Sequence, residues 1–353
     1  MDYVTLKIPF STDEAKDLLT TAHLFRAAAQ NVLVLAKHQS ELPVGLVNWV
    51  NTFRDAAYGV IPNRRYADGA VALVMGIYIA CKALGIDFKD AELGDWLMFQ
   101  QGIFERLRTS TIALEQMDGD HAVFSITTVG NGWGKTRITT TASKHKDLLG
   151  AVIANDVEYM GRVVINEHAG ARASGVVELM IPLDFYNNLI AEEQGGGKLV
   201  GGVSVTATAG EVDLAIIKGN NKIDHRKFVL SNAHDVGKVL EYARDNNVGV
   251  LFMENPVIYG TLRWVQPRGN ASSFTAKAEV IEELALEARQ YGIRIGYVDP
   301  RVVMSNELVK RAMQRLLRGR GGDGQVDENT AIAYLIARRG LRASHTGGRG
   351  IGT

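Results

Sequence analysis

Cysteine is nearly absent from this chain, and its scarcity limits the kinds of site that the chain can carry. The 353 residues include a single cysteine, Cys81. One cysteine permits neither an internal disulfide nor a zinc site built from cysteines alone. Because Cys81 ends an apolar run, we expect it in the core of a buried helix. A chain without disulfides is typical of a reducing compartment, so we expect a cytoplasmic protein.

The chain also lacks a hydrophobic run of the length that a membrane-spanning helix needs. Such a helix takes about 20 consecutive apolar residues. The longest apolar run, residues 70–81, is much shorter. Met1 is followed directly by Asp2 and an alternating segment, so we expect no signal peptide. We therefore expect no membrane partner.

An excess of positive charge is missing as well. The 39 basic residues equal the 39 acidic ones in number. Residues 1–200 carry a net charge of −5, and residues 201–353 carry +5. A protein that binds a long nucleic acid usually has a basic excess, because contacts to phosphates supply most of the affinity. Any nucleic-acid binding is therefore expected on local patches, above all in residues 301–353, which hold ten Lys and Arg against four acids.

The first half of the chain alternates between strand-like and helical patterns. Residues 3–9 alternate apolar and polar side chains and predict a strand. Ser11 and Glu14 form a capping-box pattern that predicts a long helix over residues 12–38. We predict further helices near residues 42–58, 64–84 and 98–114. Strand-like runs then follow at residues 122–129, 136–142, 160–166 and 175–182, which predict a small antiparallel sheet or barrel that the first strand can join.

The pattern of strands and helices changes after the glycine-rich residues 194–198. Strand patterns at residues 200–208, 212–218 and 225–230 predict a three-stranded meander. Predicted helices at 233–247 and 275–291 then alternate with buried strands at 248–254 and 293–298, and helical patterns return at 305–318 and 327–339. Three hairpin strands followed by alternating helices and strands are typical of the RNase H-like fold.

Three segments of this second half carry polar residues at suggestive places. They are Gly-Gly-Val-Ser-Val-Thr at 201–206, Val-Leu-Phe-Met-Glu-Asn-Pro at 250–256, and residues 326–340, which begin Val-Asp-Glu-Asn-Thr. A glutamate at the end of an apolar strand is commonly an edge residue, and an aspartate before a helix is commonly an N-cap. The residue types alone leave Glu254 and Asp327 open between a structural and a functional role.

Together these segments resemble the RuvC-type nuclease domain of TnpB proteins, the transposon-associated ancestors of type V CRISPR effectors. Residues 233–255 and 284–300 are also similar to helix–strand elements of that family. The family carries Asp, Glu and Asp at the three positions where this chain has Ser204, Glu254 and Asp327. It often inserts a four-cysteine zinc ribbon before the last acid, whereas residues 307–325 contain no cysteine. We therefore expect no zinc.

The resemblance implies a multi-domain α+β chain that ends in an RNase H-like α/β domain. We expect a wedge-like β-barrel domain from residues 1–10 and 120–193, with a helical bundle from residues 11–119 inserted in it. A linker at residues 194–198 leads to the RuvC domain at residues 199–343. A disordered tail follows at residues 344–353.

The resemblance also implies the chemistry of the centre. RuvC-type cleavage uses two Mg²⁺ or Mn²⁺ ions, and such hard cations prefer carboxylate oxygens. In the family the first Asp bridges both ions, so the neutral Ser204 is a poor replacement. Glu254 and Asp327 are then the remaining metal ligands, and we expect a centre that does not cut DNA. Asp213 and Glu211 lie past the turn at Gly210, and we predict that both lie away from the centre.

Five arginines are candidate contacts to nucleic acid. Arg64 and Arg65 stand beside Tyr66 at a predicted helix start, where charged residues are also common for structural reasons. Arg315, Arg318 and Arg320 precede a glycine-rich stretch that fits a phosphate-contacting loop and a solvated turn equally well. Gly130 to Lys135 has one residue too few for a P-loop and is followed by strand residues, so we predict a hairpin turn there.

Three functions remain open at this point. The first is a nuclease-deficient, TnpB-like protein that binds nucleic acid, with a guide-like RNA and a DNA as partners. The second is an active metal-dependent DNA endonuclease with an altered centre. The third is a fold used for protein–protein assembly or self-assembly without nucleic acid, which the zero net charge favours.

Overall fold

The computed structural model divides the chain into two compact units. One unit, here the N-terminal unit, contains Thr5–Pro182 and Trp264–Gln266, and the other, the C-terminal unit, contains Met1–Val4, Leu183–Arg263 and Pro267–Thr353. The structure describes residues 2–106, 109–194, 196–206, 208, 210–218, 222–266, 271–303, 305–318 and 326–346. The domain limits expected from the sequence stay predictions.

The N-terminal unit is a mixture of helices and two small sheets. Its elements, of which the first strand begins in the other unit, are β1 (Tyr3–Thr12), α1 (Ala15–Lys37), α2 (Leu46–Tyr58), α3 (Arg64–Leu84), β2 (Leu97–Gln100), β3 (Ile112–Asp118), β4 (His121–Thr127), α4 (Gly130–Trp133), β5 (Lys135–Thr141), α5 (Lys146–Ala154), β6 (Met160–Ala169) and β7 (Arg172–Pro182).

The start of α1 differs from the prediction. The helix begins at Ala15, and its preceding residue, Glu14, makes no capping hydrogen bond through its side chain. Ser11 lies within β1, so the predicted capping box is wrong. Instead, the Thr12 hydroxyl accepts a hydrogen bond of 3.1 Å from the backbone N–H of Glu14. Pairing of β1 in the sheet holds this segment extended, and sheet pairing therefore outweighs the local helix signal.

Helix α3 matches its prediction closely and lies in the core. Asn63 caps it, because its side chain accepts hydrogen bonds from the backbone N–H groups of Arg65 and Tyr66. Among the described residues, α3 is the one helix long and apolar enough to cross a membrane, and 50% of the residues in that window are buried. Cys81 is buried on α3, as expected. The apolar run of α3 thus serves packing against α1 and α2.

The helix predicted over residues 98–114 does not form. Leu97–Gln100 is strand β2, which pairs antiparallel with β6, and Ile112–Asp118 is strand β3. Helix and strand patterns are hard to tell apart in short apolar runs, and the pairing partner decides here. The hairpin between β4 and β5 is as predicted, with the short α4 at its turn.

The strands of this unit form two open sheets. The first has four strands in the order β1–β7–β6–β2, and the second has three in the order β3–β4–β5. The first strand of the chain joins the later strands across the helices, as expected. In the described part of the chain, however, these sheets do not close into a barrel. Helix α5 follows β5 and packs on β3 and β4, so the run of hairpins ends there instead of continuing into β6.

The C-terminal unit contains one larger sheet with helices. Its elements are α6 (Leu183–Gln194), β8 (Leu199–Val205), β9 (Glu211–Lys218), β10 (Lys222–Val229), α7 (Gly237–Asp245), β11 (Val248–Glu254), α8 (Pro256–Gly260), α9 (Ala271–Glu287), β12 (Arg294–Val298), α10 (Pro300–Val303), α11 (Asn306–Arg318) and α12 (Glu328–Thr346).

The five strands of this sheet run in the order β10–β9–β8–β11–β12. The first three are antiparallel neighbours, whereas β11 is parallel to both β8 and β12. The central strand β8 is buried along nearly its whole length. This arrangement follows from the predicted meander and from the return of the chain to the other side of β8, where β11 and then β12 add in parallel.

Helix α12 lies against one face of the sheet at very short range. A Cβ atom added to Gly202 would stand 2.3 Å from the carbonyl oxygen of Ala333 and from the backbone nitrogen of Ala337. Phe252 on β11 faces the same helix, since a Cβ atom on Gly340 would meet its ring at 2.1 Å. Only glycine permits such an approach at these positions. Gly202 on β8 and Phe252 on β11 therefore mark the face of the sheet that α12 covers.

Candidate functional site

Ser204 lies on the central strand of the C-terminal sheet, on the face that α12 covers. It follows Gly202 by two residues, and alternate side chains of a strand share a face. Its side chain is buried, with 1% of the residue exposed. Within the described residues, its hydroxyl oxygen has no hydrogen-bond partner. The position expected to carry the first carboxylate is therefore a buried position whose hydroxyl has no hydrogen-bond partner among the described residues.

Asp213 lies directly across from Ser204. The two residues pair in the antiparallel register of β8 and β9, so their side chains lie on the same face. Asp213 is 1% exposed. Residues 212–218 are a strand, as predicted, but the expectation that Asp213 lies away from the centre is wrong. The turn at Gly210 sets a register that returns Asp213 to Ser204, and register could not be derived from the strand pattern alone.

Glu254 ends strand β11 beside Ser204. Met253 pairs with Val203 in the parallel register, so Glu254 is the next residue along, next to Ser204. It is two residues beyond Phe252 and therefore shares the face that α12 covers. Glu254 is 1% exposed. Ser204, Asp213 and Glu254 consequently occupy one face at the same end of three neighbouring strands.

Asp327 caps helix α12 and connects to Asp213 through one hydroxyl. Its Oδ1 accepts hydrogen bonds from the backbone N–H of Thr330 at 2.8 Å and from the Thr330 hydroxyl at 2.9 Å. The same hydroxyl lies 3.0 Å from Oδ1 of Asp213. A hydroxyl has one proton, so Thr330 donates to one of the two carboxylates at a time. Asp327 is therefore the N-cap of α12, which is the structural role that the sequence left open for it.

Glu254 is neutralised by a buried lysine from α9. The ammonium group of Lys277 forms an ion pair with Oε2 of Glu254, and both side chains are almost fully buried, at 6% and 1% exposed. This contact is close but does not have hydrogen-bond alignment. The Tyr259 hydroxyl donates a 2.9 Å hydrogen bond to Oε1. The ammonium also lies 4.7 Å from the centre of the Tyr259 ring, in cation–π contact.

A second lysine neutralises Asp327. The ammonium of Lys227, on β10, forms ion pairs with Oδ2 of Asp327 and, at 3.3 Å, with Oε2 of Glu211. These side chains are more exposed than the Glu254 pair, at 38% for Lys227 and about 40% for its partners. Each of the two acids expected to hold metal therefore has a lysine as its counter-ion.

The surroundings of the site shift the pKa values of Asp213 and Asp327 in opposite directions. Burial raises the pKa of Asp213 to about 6, and the neighbouring Asp327 adds to the rise. Burial also acts to raise the pKa of Asp327, but the hydrogen bonds from Lys227 and Thr330 outweigh it and leave the pKa below its usual value. The hydrogen bond to Asp327 raises the pKa of Lys227. Near neutral pH, Asp327 is fully charged and Asp213 is close to its titration range.

This arrangement does not fit the pair of Mg²⁺ or Mn²⁺ ions that the resemblance implies. The described residues contain no group of three or more His, Cys, Asp or Glu side chains placed to hold a metal ion. Both oxygens of Glu254 already face Lys277 and Tyr259, and Asp327 faces Lys227 and Thr330. Ser204 offers a neutral hydroxyl where a bridging carboxylate is needed.

Lys277 is part of the site but is absent from the predicted site residues, although the sequence carries a signal for it. Phe274, Lys277, Ile281 and Leu284 recur at helical spacing, and the last two are buried. A lysine in the apolar stripe of a helix predicts a buried partner of opposite charge. Nothing comparable in the sequence marked Thr330 or Lys227, because their roles depend on the register of β9 and β10.

The five candidate arginines fall in different parts of the chain. Arg64 and Arg65 begin α3 in the N-terminal unit and line a cavity of about 550 Å³ together with Arg54 and Arg106. Arg65 is paired with the buried Glu105, whereas Arg64 is exposed. Arg315 is exposed on α11 of the C-terminal unit. The side chain of Arg318 and all of Arg320 lie outside the described residues.

Comparison with known proteins gives two sequence relatives. Both come from Aeropyrum pernix and are described as uncharacterized proteins. One is 35% identical over 380 aligned residues, which cover 97% of this chain and 86% of the relative. The other is 34% identical over 380 residues, which cover 97% of each chain. No model of a known protein family matches this chain.

Comparison with solved structures finds weak likenesses to two complexes. A cryo-EM structure of a CRISPR–Cas12f ternary complex matches with a TM-score of 0.34 and 11% identity, over 92% of this chain and 81% of that one. A cryo-EM structure of a Cas12f1–sgRNA–target DNA complex matches with a TM-score of 0.29 and 11% identity, over 96% and 100% of the two chains. Scores this low carry no argument about the fold or the function.

Proposed function

This chain belongs to the same family as the two Aeropyrum pernix proteins, and we propose that it is a TnpB-like protein that binds nucleic acid without cutting it. The observation that carries the proposal is the composition of one face of the C-terminal sheet. Ser204 and Glu254 lie side by side there, and the helix that begins after Asp327 covers them. This is the arrangement of the three positions on which the resemblance rests, with the bridging carboxylate absent.

The order of the strands supports the RNase H-like part of the proposal. Three antiparallel strands followed by two parallel ones, with the first strand in the middle of the sheet, is the order of that fold. A fold hosts many functions, so the strand order supports ancestry and not activity. The argument for a lost activity comes from Ser204, from the ion pair of Glu254 with Lys277 and from that of Asp327 with Lys227.

Nucleic-acid binding is proposed from the distribution of charge. The C-terminal 153 residues carry a net charge of +5, and Arg315 is exposed on α11. In RNA-guided systems base pairing supplies the sequence specificity, and the protein contacts the backbone and a short flanking motif. A protein of this kind with an inactive centre acts as a programmable DNA-binding protein when it carries a guide-like RNA. Both RNA and DNA are therefore proposed partners.

An active nuclease with an altered centre is the second candidate, and Asp213 is the observation that favours it. Asp213 stands across from Ser204, and within the described residues its Oδ2 has no hydrogen-bond partner. It would supply the carboxylate that Ser204 lacks. Against this, the pKa of Asp213 is raised by burial to about 6, and Lys277 lies against Glu254.

A combined binding and cleavage assay tests the proposal. The purified protein is mixed with single-stranded DNA, duplex DNA and RNA, with Mg²⁺, Mn²⁺ or EDTA. We expect shifted, uncut nucleic acid under all three conditions. Metal-dependent cutting that disappears in Glu254→Gln would support the altered centre instead. The absence of both binding and cutting would support protein–protein assembly, the third function that the sequence leaves open.

A further inference from the structure

We propose that the ammonium group of Lys277 takes the place of a divalent cation in the carboxylate centre and makes the centre independent of metal. The proposal rests on the proposed function in one respect, namely that Ser204, Glu254 and Asp327 descend from a metal site. It goes beyond that function, because it assigns to one buried lysine the charge compensation that a metal ion gives in an active centre of this type.

The first argument is the burial of the pair. Removing a lysine ammonium and a carboxylate from water costs several kcal/mol per ion, and only a close partner with good contacts compensates that cost. Lys277 and Glu254 are 6% and 1% exposed. The buried ammonium and the buried carboxylate therefore each need the other to compensate the cost of leaving water.

The second argument is that each oxygen of the Glu254 carboxylate already faces a partner from the chain itself, one through an ion pair and the other through a hydrogen bond. Oε2 faces the ammonium of Lys277, and Oε1 accepts the hydroxyl proton of Tyr259. The ring of Tyr259 lies 4.7 Å from the same ammonium. The three side chains form a closed group in which the cation contacts an oxygen on one side and a π-face on the other. A metal ion would have to displace Lys277 to reach Glu254.

The third argument is the charge of the whole site. Lys227 compensates Asp327 and Glu211 at the more exposed end, in the way that Lys277 compensates Glu254 in the interior. The hydroxyl of Ser204 contributes no charge. Two dications close together require a surplus of negative charge. Lys227 and Lys277 face the four carboxylates of Asp213, Glu211, Glu254 and Asp327, so at most two negative charges remain against the four positive charges of two dications.

The inference predicts that a carboxylate at position 204 is insufficient to recover metal binding while Lys277 is present. Three variants test it: Ser204→Asp, Lys277→Met and the double variant Ser204→Asp/Lys277→Met. Methionine keeps the unbranched length of lysine but has no charge. Melting temperatures are measured in EDTA and in millimolar Mn²⁺, and bound Mn²⁺ is followed by electron paramagnetic resonance.

We expect a Mn²⁺-dependent rise in melting temperature of about 3 °C or more for the double variant, because metal binding stabilises the native state by mass action. We expect no such rise for the wild type or for Ser204→Asp alone. The matched control is Ser204→Asp/Lys238→Met, in which an exposed lysine of α7 is removed instead. It should behave like Ser204→Asp alone.

Three results would overturn the proposal. The wild type could respond to Mn²⁺, Ser204→Asp alone could respond as strongly as the double variant, or the double variant could remain indifferent to Mn²⁺. If the double variant does not fold in metal-free buffer, it is refolded with and without Mn²⁺. Recovery only with Mn²⁺ supports the proposal, and failure in both conditions contradicts it.

The metal test and the nucleic-acid test can fail separately. A double variant that gains Mn²⁺ binding in a protein that binds no RNA or DNA would support the role of Lys277 and contradict the proposed function. A wild-type protein that binds both nucleic acid and Mn²⁺ would support the proposed function and contradict the role of Lys277.

Discussion

Lys277 and Glu254 form a buried ion pair at the end of strand β11, next to the serine that stands where a metal-bridging aspartate is expected. Because both side chains are almost fully removed from water, neither is stable there without the other. The pair places the ammonium group of Lys277 against the carboxylate that lies next to Ser204. The predictions below follow from this pair and from its surroundings.

The first prediction concerns Asp213 and pH. The pKa of its carboxyl is raised by burial to about 6, above the ordinary value of 3.8. The native state therefore holds a proton that the unfolded state releases between these two values, and Asp213 destabilises the fold increasingly as the pH rises from about 4 to 6. We expect Asp213→Asn to raise the melting temperature relative to the wild type at pH 7.

The size of that gain should depend on pH. At pH 4, where Asp213 is protonated in the native state, the advantage of Asp213→Asn should be smaller than at pH 7. Melting curves of both proteins between pH 4 and pH 8 give the difference directly. A difference that is constant across this range, or that shrinks toward pH 7, would contradict the raised pKa. Glu279→Gln, at an exposed position of α9, is the control.

The second prediction tests the position of α12 over the site. In Gly202→Ala the new Cβ atom would stand 2.3 Å from two backbone atoms of α12. The helix must move away from the sheet, and we expect a loss of about 2–3 kcal/mol in the free energy of unfolding. Urea denaturation measures it. Gly210→Ala, which meets no atom closer than 3.8 Å, should lose little, and equal losses in both variants would contradict the placement.

The third prediction separates two neighbouring arginines. Arg65 is paired with Glu105, whose side chain is 5% exposed, so Arg65→Ala leaves a buried charge without its partner. We expect Arg65→Ala to lose about 1–3 kcal/mol in the free energy of unfolding. Arg64 is exposed, and Arg64→Ala should leave stability within about 0.5 kcal/mol of the wild type.

The Arg64→Ala variant also tests whether the start of α3 contacts nucleic acid. If the cavity beside α3 contacts phosphates, Arg64→Ala should weaken binding of RNA or DNA while its stability stays unchanged. Gel-shift titrations of folded Arg64→Ala against the wild type measure the effect. Unchanged affinity would remove Arg64 as a contact and leave the start of α3 with a structural role only.

The fourth prediction concerns the basic residues at the end of α11. Replacing Arg315, Arg318 and Arg320 together by glutamate should weaken nucleic-acid binding, and binding by the wild type should fall about tenfold or more between low and moderate salt. Fluorescence anisotropy at two salt concentrations gives both quantities. Reversing Lys238, Arg244 and Arg294 instead, exposed basic residues of the same unit, is the charge-matched control. Equal losses in the two triple variants would indicate a general charge effect.

The strands and helices that carry the site were largely predictable from the sequence. Strand β11 ends at Glu254 as predicted, and α12 begins next to Asp327, where an N-cap pattern was visible. Both signals are local, because an apolar run fixes a buried strand and a capping side chain fixes a helix start. The mixed α/β character of the chain follows from the same patterns.

The partners within the site were not predictable in the same way. Asp213 lies opposite Ser204 because of the turn between two strands, and a shift of one residue would have moved it to the other face. Lys277 and Glu254 are more than twenty positions apart in the chain, and the periodicity of α9 does not identify Glu254 as the partner of Lys277. The predicted helix over residues 98–114 is wrong because Leu97–Gln100 pair with β6, which is a long-range contact. A local sequence pattern does not reveal which distant segment pairs with it.

The most direct test of the central claim is the nucleic-acid content of the purified protein. The protein is isolated at moderate salt from cells that express it, and its absorbance ratio at 260 and 280 nm is recorded before and after treatment with ribonuclease. The account predicts a ratio well above that of protein alone, which falls on ribonuclease treatment, and a discrete RNA on a denaturing gel. A ratio typical of protein alone, with no RNA on the gel, would contradict it.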